Sequence, residues 1–459
     1  MKRNFLPFMM LLSSILLLAS CLNSDDDFVY NDDAAITSFS VSGVKRYIHT
    51  TSSTGADSVY TKTMTCSSYK FYIDQVNCEI YNPDSLPCGV DARKVVCSIS
   101  SSNSGTVLVQ SMTSDSLAYF NSADSMDYTK PRIIKVYSNS GTAVRTYTVH
   151  VNVHQEQPDS MKWNRFGNSD VLRQFTDARA VMCGGRLFVF GTDGTTTQTV
   201  STTDGMSWRA ATPNFNHTLP ADAYQSVVVK NDCMYLSDGG NIMRSADADT
   251  WTVTGSDTGI TRLVSASDWR LYGYAADGRL MASADNGATW HAATIDADAT
   301  LLPDTDVSSL SLPSRTNTAT ARLLLIGKRG SDNVVWGKTE EGSTGSEDQP
   351  WAYYDVSAEN SHTLPTLAGM RAFAYDKAAY VLGKNDTARV FYRSDDGGIT
   401  WFADTALTVP NDIDLATGNC AVAVDADNHV WLVDTRSGNV WKGRLNRLGW
   451  REEKKAYTE

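Results

Sequence analysis

Apolar and polar residues alternate along short runs of this chain. The run 147–154 alternates strictly, which is the period of a strand with one buried face. It follows the run 132–137 across the turn residues 138–141, and this spacing predicts an antiparallel hairpin. Similar short runs recur between turn residues, so the pattern predicts an all-β protein.

Residues 34–157 contain several such runs and lack helical periodicity. About 120 residues of short strands predict an immunoglobulin-like β-sandwich. The segment 155–160 is a linker, and we place the second domain at residues 158–459. The other strand candidates of the first domain are 36–41, 68–73, 95–99 and 107–109.

Tryptophans recur in the second domain at intervals of 39 to 61 residues, a period typical of one four-stranded blade each. The motif S-x-D-x-G-x-T-W precedes two of them, at 283–290 and 394–401. Its Ser and Asp side chains can accept backbone N–H groups, and its glycine allows positive φ, so the motif predicts a tight turn. The tryptophans are Trp163, Trp208, Trp251, Trp290, Trp351, Trp401 and Trp450.

This motif resembles the Asp-box, or BNR repeat, which joins the third and fourth strands of a blade in sialidase-like β-propellers. The resemblance implies a propeller, and it implies a structural role for the box. Degenerate copies occur at 201–208, with Thr203 at the Asp position, and at 245–251, which is one residue short. The box residues are Ser283, Asp285, Gly287, Trp290, Ser394, Asp396, Gly398 and Trp401.

Six innermost strands are predicted, which gives six blades, with seven as the alternative. The strand around Trp163 has no blade before it, so it can close the ring by joining the last blade and covering its open edge. Trp450 competes for the same position. The innermost strands are expected near residues 180, 227, 263, 323, 372 and 422.

Aligning these strands places one polar residue of each blade at the channel mouth, where propellers usually bind ligands. Converging guanidinium groups repel one another unless an anion or a carboxylate lies between them, so they favour a carboxylate, sulfate or phosphate site. The alternative is that each arginine pairs with an acid such as Asp177 or Asp222 and braces a loop. The candidate ligand-binding residues are Arg179, Gln225, Arg262, Arg322, Arg371 and Asn419.

No catalytic residues, cofactor or metal ligands are predicted. Sialidases carry an Arg-Ile-Pro motif at the start of the propeller and a Tyr–Glu nucleophile pair. Here Arg132-Ile133-Ile134 lies in the sandwich, and no Tyr–Glu pair can be assigned. His150 and His154 lie about 13 Å apart on a strand, too far to share a metal.

The N-terminus carries a targeting segment. Residues 1–20 combine Lys2 and Arg3 with an apolar run that is too short to span a bilayer. Leu18-Ala19-Ser20-Cys21 resembles the lipobox of bacterial lipoproteins, which implies diacylation of Cys21 and a membrane anchor. The acidic patch 23–27, within the acidic tether 21–33, resembles the surface-export signal of Bacteroidota lipoproteins, and a solvated spacer is the alternative. The sandwich resembles their spacer domains.

Charge and cysteines complete the picture. A net charge of −12 and a pI near 5.1 argue against nucleic acid as a partner. In an oxidising compartment one or two disulfides could form among four clustered cysteines. We expect the three later ones to be small buried apolar residues. The clustered cysteines are Cys66, Cys78, Cys88 and Cys97, and the later ones are Cys183, Cys233 and Cys420.

The sequence therefore predicts a lipid-anchored protein of the outer membrane, exposed at the cell surface, whose propeller binds a glycan or a protein. One alternative is a glycoside hydrolase-like enzyme that holds an acidic sugar with the arginine cluster. Another is a scaffold in an envelope complex.

Overall fold

The computed structural model describes residues 29–51, 57–157, 159–314, 317–342, 349–355, 360–413 and 420–449. One compact unit ends at Gln157 and a second begins at Pro158. The regular elements of the described ranges are β-strands and short 3-10 helices, which confirms the all-β class. Nowhere in these ranges is there a helix with the length and hydropathy that crossing a bilayer requires.

The first unit is a β-sandwich of two sheets, as predicted. The first sheet contains, in spatial order, β2 (Asp57–Thr65), β1 (Ile36–Thr51), β5 (Val95–Ser101) and β8 (Ser125–Met126). The second contains β3 (Tyr72–Asp74), β4 (Glu79–Tyr81), β10 (Val144–His150), β9 (Arg132–Tyr137), β6 (Thr106–Gln110) and β7 (Leu117–Tyr119). A 3-10 helix spans Ser102–Ser104.

The predicted hairpin is β9 and β10, which pair antiparallel. Tyr147 and Val149 are fully buried because alternate residues of β10 share the inward face. Cys66 and Cys97 pack in the same core. All seven cysteines of the described part are free thiols, so none of the disulfides that the spacing allows is formed. Cys233 is only half-buried, contrary to expectation.

The second unit contains six antiparallel blades within its described residues. Blade 1 comprises β12 (Asp177–Cys183), β13 (Arg186–Thr192), β14 (Thr196–Thr202) and β15 (Arg209–Ala210), with β16 (Leu219–Pro220) also on β14. Blade 2 comprises β17 (Val228–Lys230), β18 (Cys233–Asp238), β19 (Asn241–Ser245) and β20 (Thr252–Gly255). Blade 3 comprises β21 (Ile260–Ala266), β22 (Leu271–Ala275), β23 (Leu280–Ser283) and β24 (His291–Ala292).

The remaining three blades repeat this order. Blade 4 comprises β25 (Thr305–Pro313), β26 (Thr320–Arg329), β27 (Asp332–Glu341) and β28 (Ala352–Tyr353). Blade 5 comprises β29 (Ala368–Tyr375), β30 (Ala378–Lys384), β31 (Arg389–Ser394) and β32 (Phe402–Ala403). Blade 6 comprises β33 (Cys420–Val424), β34 (Val430–Asp434), β35 (Asn439–Leu445) and β11 (Met161–Phe166). The 3-10 helices are Leu172–Gln174, Ala223–Ser226, Ala299–Leu301 and Asn446–Gly449.

The blades form a closed ring. The first strand of each blade contacts the first strand of the next, and β33 of blade 6 contacts β12 of blade 1. The ring is closed by β11, which pairs antiparallel with β35 and places Trp163 opposite Gly443. The prediction of six blades with Trp163 in the closing strand is therefore confirmed, and Trp450 lies outside the described residues.

The prediction of an innermost strand near residue 323 was wrong. Leu323 lies in β26, the second strand of blade 4, and the first strand is β25, which begins at Thr305. Residues 323–326 are fully buried or nearly so, because β26 lies between two strands with both faces covered. Such a continuous apolar run resembles an innermost strand, whereas β25 alternates serine with leucine.

The two S-x-D-x-G-x-T-W segments form matching turns between third and fourth strands, and we name them the Ser-Asp turns (283–290 and 394–401). In the first, Ser283 Oγ accepts the backbone N–H of Gly287 at 2.9 Å, and Asp285 accepts that of Thr289 at 2.9 Å. The indole of Trp290 donates to the Gly287 carbonyl at 2.9 Å. The second turn repeats each of these bonds.

The degenerate copies form shorter versions of this turn. Thr202 and Asp204 take the roles of Ser and Asp, so the sequence alignment, which put Thr203 at the Asp position, was wrong by one residue. The turn at 245–251 has the same short form, and Ala248 adopts φ +63° there. These two shorter turns therefore differ from the Ser-Asp turns by one missing residue, and not by a missing side chain.

Candidate functional site

Four of the six candidate residues lie together around one cavity of about 180 Å³, where the first strands begin. Arg179, Arg262 and Arg371 belong to β12, β21 and β29, and Gln225 lies in the 3-10 turn before β17. We name this cavity the channel mouth. Its lining residues are Asp177, Ala178, Arg179, Tyr224, Gln225, Arg262, Thr305, Asp306, Val307 and Arg371.

Arg179 reaches across the ring from blade 1. One Nη donates to the carbonyl of Val227 in blade 2 at 2.9 Å, and the other donates to the carbonyl of Val307 in blade 4. Among the described residues it forms no ion pair with a carboxylate. Burial, with the like charges of Arg262 and Arg371, lowers the pKa of Arg179 to about 9. At neutral pH it therefore remains a half-buried cation that pairs with no described carboxylate.

Arg371 links two blades and is also a candidate ligand-binding residue. Its Nη2 donates to Asp177 Oδ1 at 2.7 Å, which links blade 5 to blade 1. Asp177 also accepts the hydroxyl of Tyr224 at 2.8 Å. Burial and the nearby Asp177 carboxylate raise the pKa of Tyr224 to about 12, so the hydroxyl stays protonated and donates. The alternative of arginine–acid bracing thus applies to Arg371 and Asp177.

Arg262 completes the cluster from blade 3. Its Nη1 donates to the backbone carbonyl of Asp304 at 3.2 Å, and burial lowers its pKa. Three guanidinium groups therefore face two carboxylates, those of Asp177 and Asp306, around one small cavity. This excess of positive charge favours an anionic ligand.

Asp306 is a mouth residue that sequence reasoning missed. It lies near the start of β25, so the wrong register of blade 4 concealed it. Its carboxylate is 3.8 Å from Arg371 Nη1 and 4.0 Å from Lys328 Nζ. The sequence Leu302-Pro303 could have located this first strand, because a similar apolar residue followed by proline precedes other first strands, as at Leu219-Pro220.

Arg322 does not belong to the mouth. It lies in β26, and its guanidinium donates to the hydroxyl of Tyr354, 5.7 Å from the centroid of that ring. The assignment of Arg322 to the ligand column was therefore wrong in position. Asn419 and Cys21 lie outside the described residues.

The donor groups of the mouth bear on the kind of ion that it could hold. The described ranges contain no group of three or more His, Cys, Asp or Glu side chains that could hold an ion. The charged groups of the mouth are three guanidiniums and two carboxylates, a set that suits an anion better than a cation.

Two family models match the chain. The model described as DUF6242 beta propeller domain matches residues 157–453. The model described as Domain of unknown function (DUF6242) N-terminal domain matches residues 39–151. The chain belongs to the DUF6242 family.

Several solved structures are similar to this DUF6242 chain. The Hadza microbial sialidase Hz136 shares 12% identity, with 91% of this chain and 95% of that chain covered and a TM-score of 0.38. YCF48 from Cyanidioschyzon merolae shares 14% identity over 61% and 98% of the two chains, with a TM-score of 0.32. Because their TM-scores are below 0.5, these similarities carry no argument about what the chain does. No curated protein matches the chain.

In this DUF6242 propeller the channel continues beneath the mouth as a second cavity of about 340 Å³. Arg179 and Arg371 line both cavities, so they lie between them. Beneath them the walls are mainly alanine, valine and serine of the first strands. The charged groups of the channel are thus concentrated at the mouth.

Proposed function

We propose that this DUF6242 protein binds an acidic glycan at the channel mouth of its propeller. The observation that carries the proposal is Arg179, a half-buried guanidinium beside Arg262 and Arg371 whose bonds go to backbone carbonyls. An anion in the mouth would relieve the repulsion among the three cations. A protein ligand would have to present an acidic side chain to the same groups.

The Ser-Asp turns support this location of the site. We assign them to the Asp-box class, with a structural role. Because strands alternate in direction, the turn between the third and fourth strands lies at the end opposite to where the first strand begins. The boxes and the mouth therefore occupy opposite faces of the ring.

A glycan array tests the proposal, using the soluble chain that begins after Asp27. We expect binding to acidic glycans and a loss of at least tenfold in Arg371→Ala and Arg262→Ala, since each removes a charged hydrogen-bond donor. Arg279→Ala is the matched control, because this arginine of blade 3 is exposed and pairs with Asp277. Melting temperatures check that each variant is folded.

Two results would contradict the proposal. One is binding of neutral glycans only, and the other is equal binding by Arg371→Ala and Arg279→Ala. Arg322→Ala should keep the binding, because Arg322 contacts Tyr354 and does not line the mouth. If no glycan binds and a stable partner is recovered from cells, the protein is an envelope scaffold instead.

A second candidate is a glycoside hydrolase, favoured by two carboxylates, Asp177 and Asp306, beside the guanidinium of Arg371. Glycosidases use such a pair. Tyr224 is not set up as a nucleophile, because its hydroxyl keeps its proton up to about pH 12. Turnover of aryl glycosides of acidic sugars, lost in Asp306→Asn, would support this candidate over simple binding.

We further propose that Cys21 carries a lipid and that the acidic patch 23–27 directs the protein to the outer surface of the outer membrane. The lipobox and the Asp25–Asp27 run support this location. Cys21→Ser should abolish labelling by a fatty-acid analogue and release the protein from membranes. Digestion by protease added to intact cells is expected for the native chain, and full protection would contradict surface exposure.

A further inference from the structure

The two carboxylates of the channel mouth differ in how fully they are hydrogen-bonded. Asp177 accepts from Arg371 at 2.7 Å, from Tyr224 at 2.8 Å and from the backbone N–H of Ala178 at 2.8 Å. Asp306 accepts no hydrogen bond from any described residue, because its contacts at 3.8 and 4.0 Å are too long. Asp306 therefore has acceptor capacity left for a ligand.

The backbone around Asp306 points to a specific role. The ladder between β25 and β26 is interrupted between Thr305 and Ser308, and Asp306 adopts φ +52°. Asp is among the few residues that tolerate this left-handed conformation, and bulges re-aim side chains near functional sites. The same irregular segment presents the Val307 carbonyl to Arg179. This segment thus supplies the mouth with the Val307 carbonyl, which holds the Arg179 guanidinium, and with the carboxylate of Asp306.

A bare anion that approaches Arg371 also approaches the negative charge of Asp306. A ligand with a hydroxyl group beside its anionic group avoids this repulsion, since the hydroxyl can donate to Asp306 while the anion accepts from the arginines. Hydrogen bonds to an ionised carboxylate are short and strong. Because the cavity has a volume of about 180 Å³, we take the group that enters it to be one acidic sugar residue of the glycan.

We propose that Asp306 makes the mouth selective for hydroxylated carboxylates of the uronic acid type over simple anions. This inference rests on the proposed function, because it requires that the mouth binds an anion. The role of Asp306 is to accept a ligand hydroxyl, and a site built to bond a hydroxyl rejects the analogue that lacks it.

Calorimetric titration with D-glucuronate and with sulfate tests the inference on the soluble chain and its Asp306→Asn variant. In the variant we expect the glucuronate affinity to fall about tenfold, because a charged acceptor becomes neutral. We expect sulfate affinity to rise, because a repelling charge is removed. Asparagine also tolerates positive φ, so the melting temperature should stay within about 2 °C of that of the native chain.

Asp332→Asn is the matched control. Asp332 belongs to the same blade, at the turn between β26 and β27, is exposed and does not line the mouth. Its replacement should leave both affinities unchanged. If both anions bind but the glucuronate affinity is unchanged or higher in Asp306→Asn, then Asp306 is only a counter-charge. In that case the inference about Asp306 is wrong while the proposed function stands. If the native chain binds neither anion, the proposed function fails with it.

Discussion

At the scale of single residues, each Ser-Asp turn depends on one carboxylate that accepts several donors. Asp285 accepts from the backbone and the hydroxyl of Thr289 and from the hydroxyl of Ser283. Burial opposes the charge, but the bonds from Thr289 and Ser283 outweigh it and lower the pKa of Asp285 to about 2. The charged form is therefore part of the folded turn.

This carboxylate predicts a pH dependence of stability. A folded-state pKa below the unfolded value of about 3.9 gives stability that is present above pH 4 and is lost as the pH falls towards 2. Asp285→Asn should cost about 1 kcal/mol at pH 7 and reduce the further loss between pH 4 and pH 2. Melting temperatures measured at these three pH values check both effects.

The control for that series is Asp257→Asn, since Asp257 is exposed and accepts no hydrogen bond from the described residues. It should melt like the native chain at every pH. An Asp285→Asn variant whose melting temperature falls with acid as steeply as that of the native chain would show that the turn does not depend on this charge.

At the scale of elements, the sequence predicts most strands but not the identity of every strand within its blade. The innermost strands near Ala180, Leu263 and Ala372 lie where they were expected, because turn residues flank them in phase with the tryptophans. Blade 4 departs from this regular spacing, because the interval from Trp290 to Trp351 is the longest between consecutive blade tryptophans. Its most apolar strand is the second one, so apolar content alone selected the wrong strand.

That single error accounts for most of what the sequence missed at the candidate site. It placed Arg322 in the ligand column and left out Asp306, which only the position of β25 brings to the mouth. The link between Arg371 and Asp177 joins residues 194 positions apart. Such contacts depend on the closure of the ring, and local patterns carry no information about them.

At the scale of the whole molecule, the ring brings residues of five blades to one small site. Arg179 joins blade 1 to blades 2 and 4, and Arg371 joins blade 5 to blade 1. The geometry of the mouth therefore depends on a closed ring. The closure is made by β11, which joins the start of the propeller to its last blade.

Two aromatic residues hold β11 in place. The ring of Trp163 lies against Gly443, where an added Cβ would come within 2.5 Å of it, and its indole donates to the carbonyl of Thr408 at 2.7 Å. Phe166 stacks on Trp431 with ring centroids 5.9 Å apart. These contacts fix the strand on the edge of β35.

Replacing both aromatics, in Trp163→Ala with Phe166→Ala, should loosen this closure. Both side chains are half-buried, so we expect a combined loss of about 3–5 kcal/mol and a fall of several degrees in melting temperature. Faster proteolysis near residue 160 should accompany it, because a released β11 exposes the edge of β35. Asn164→Ala, an exposed change in the same strand, should have no such effect. Equal melting temperatures and equal proteolysis in the two variants would mean that β11 does not hold the ring closed.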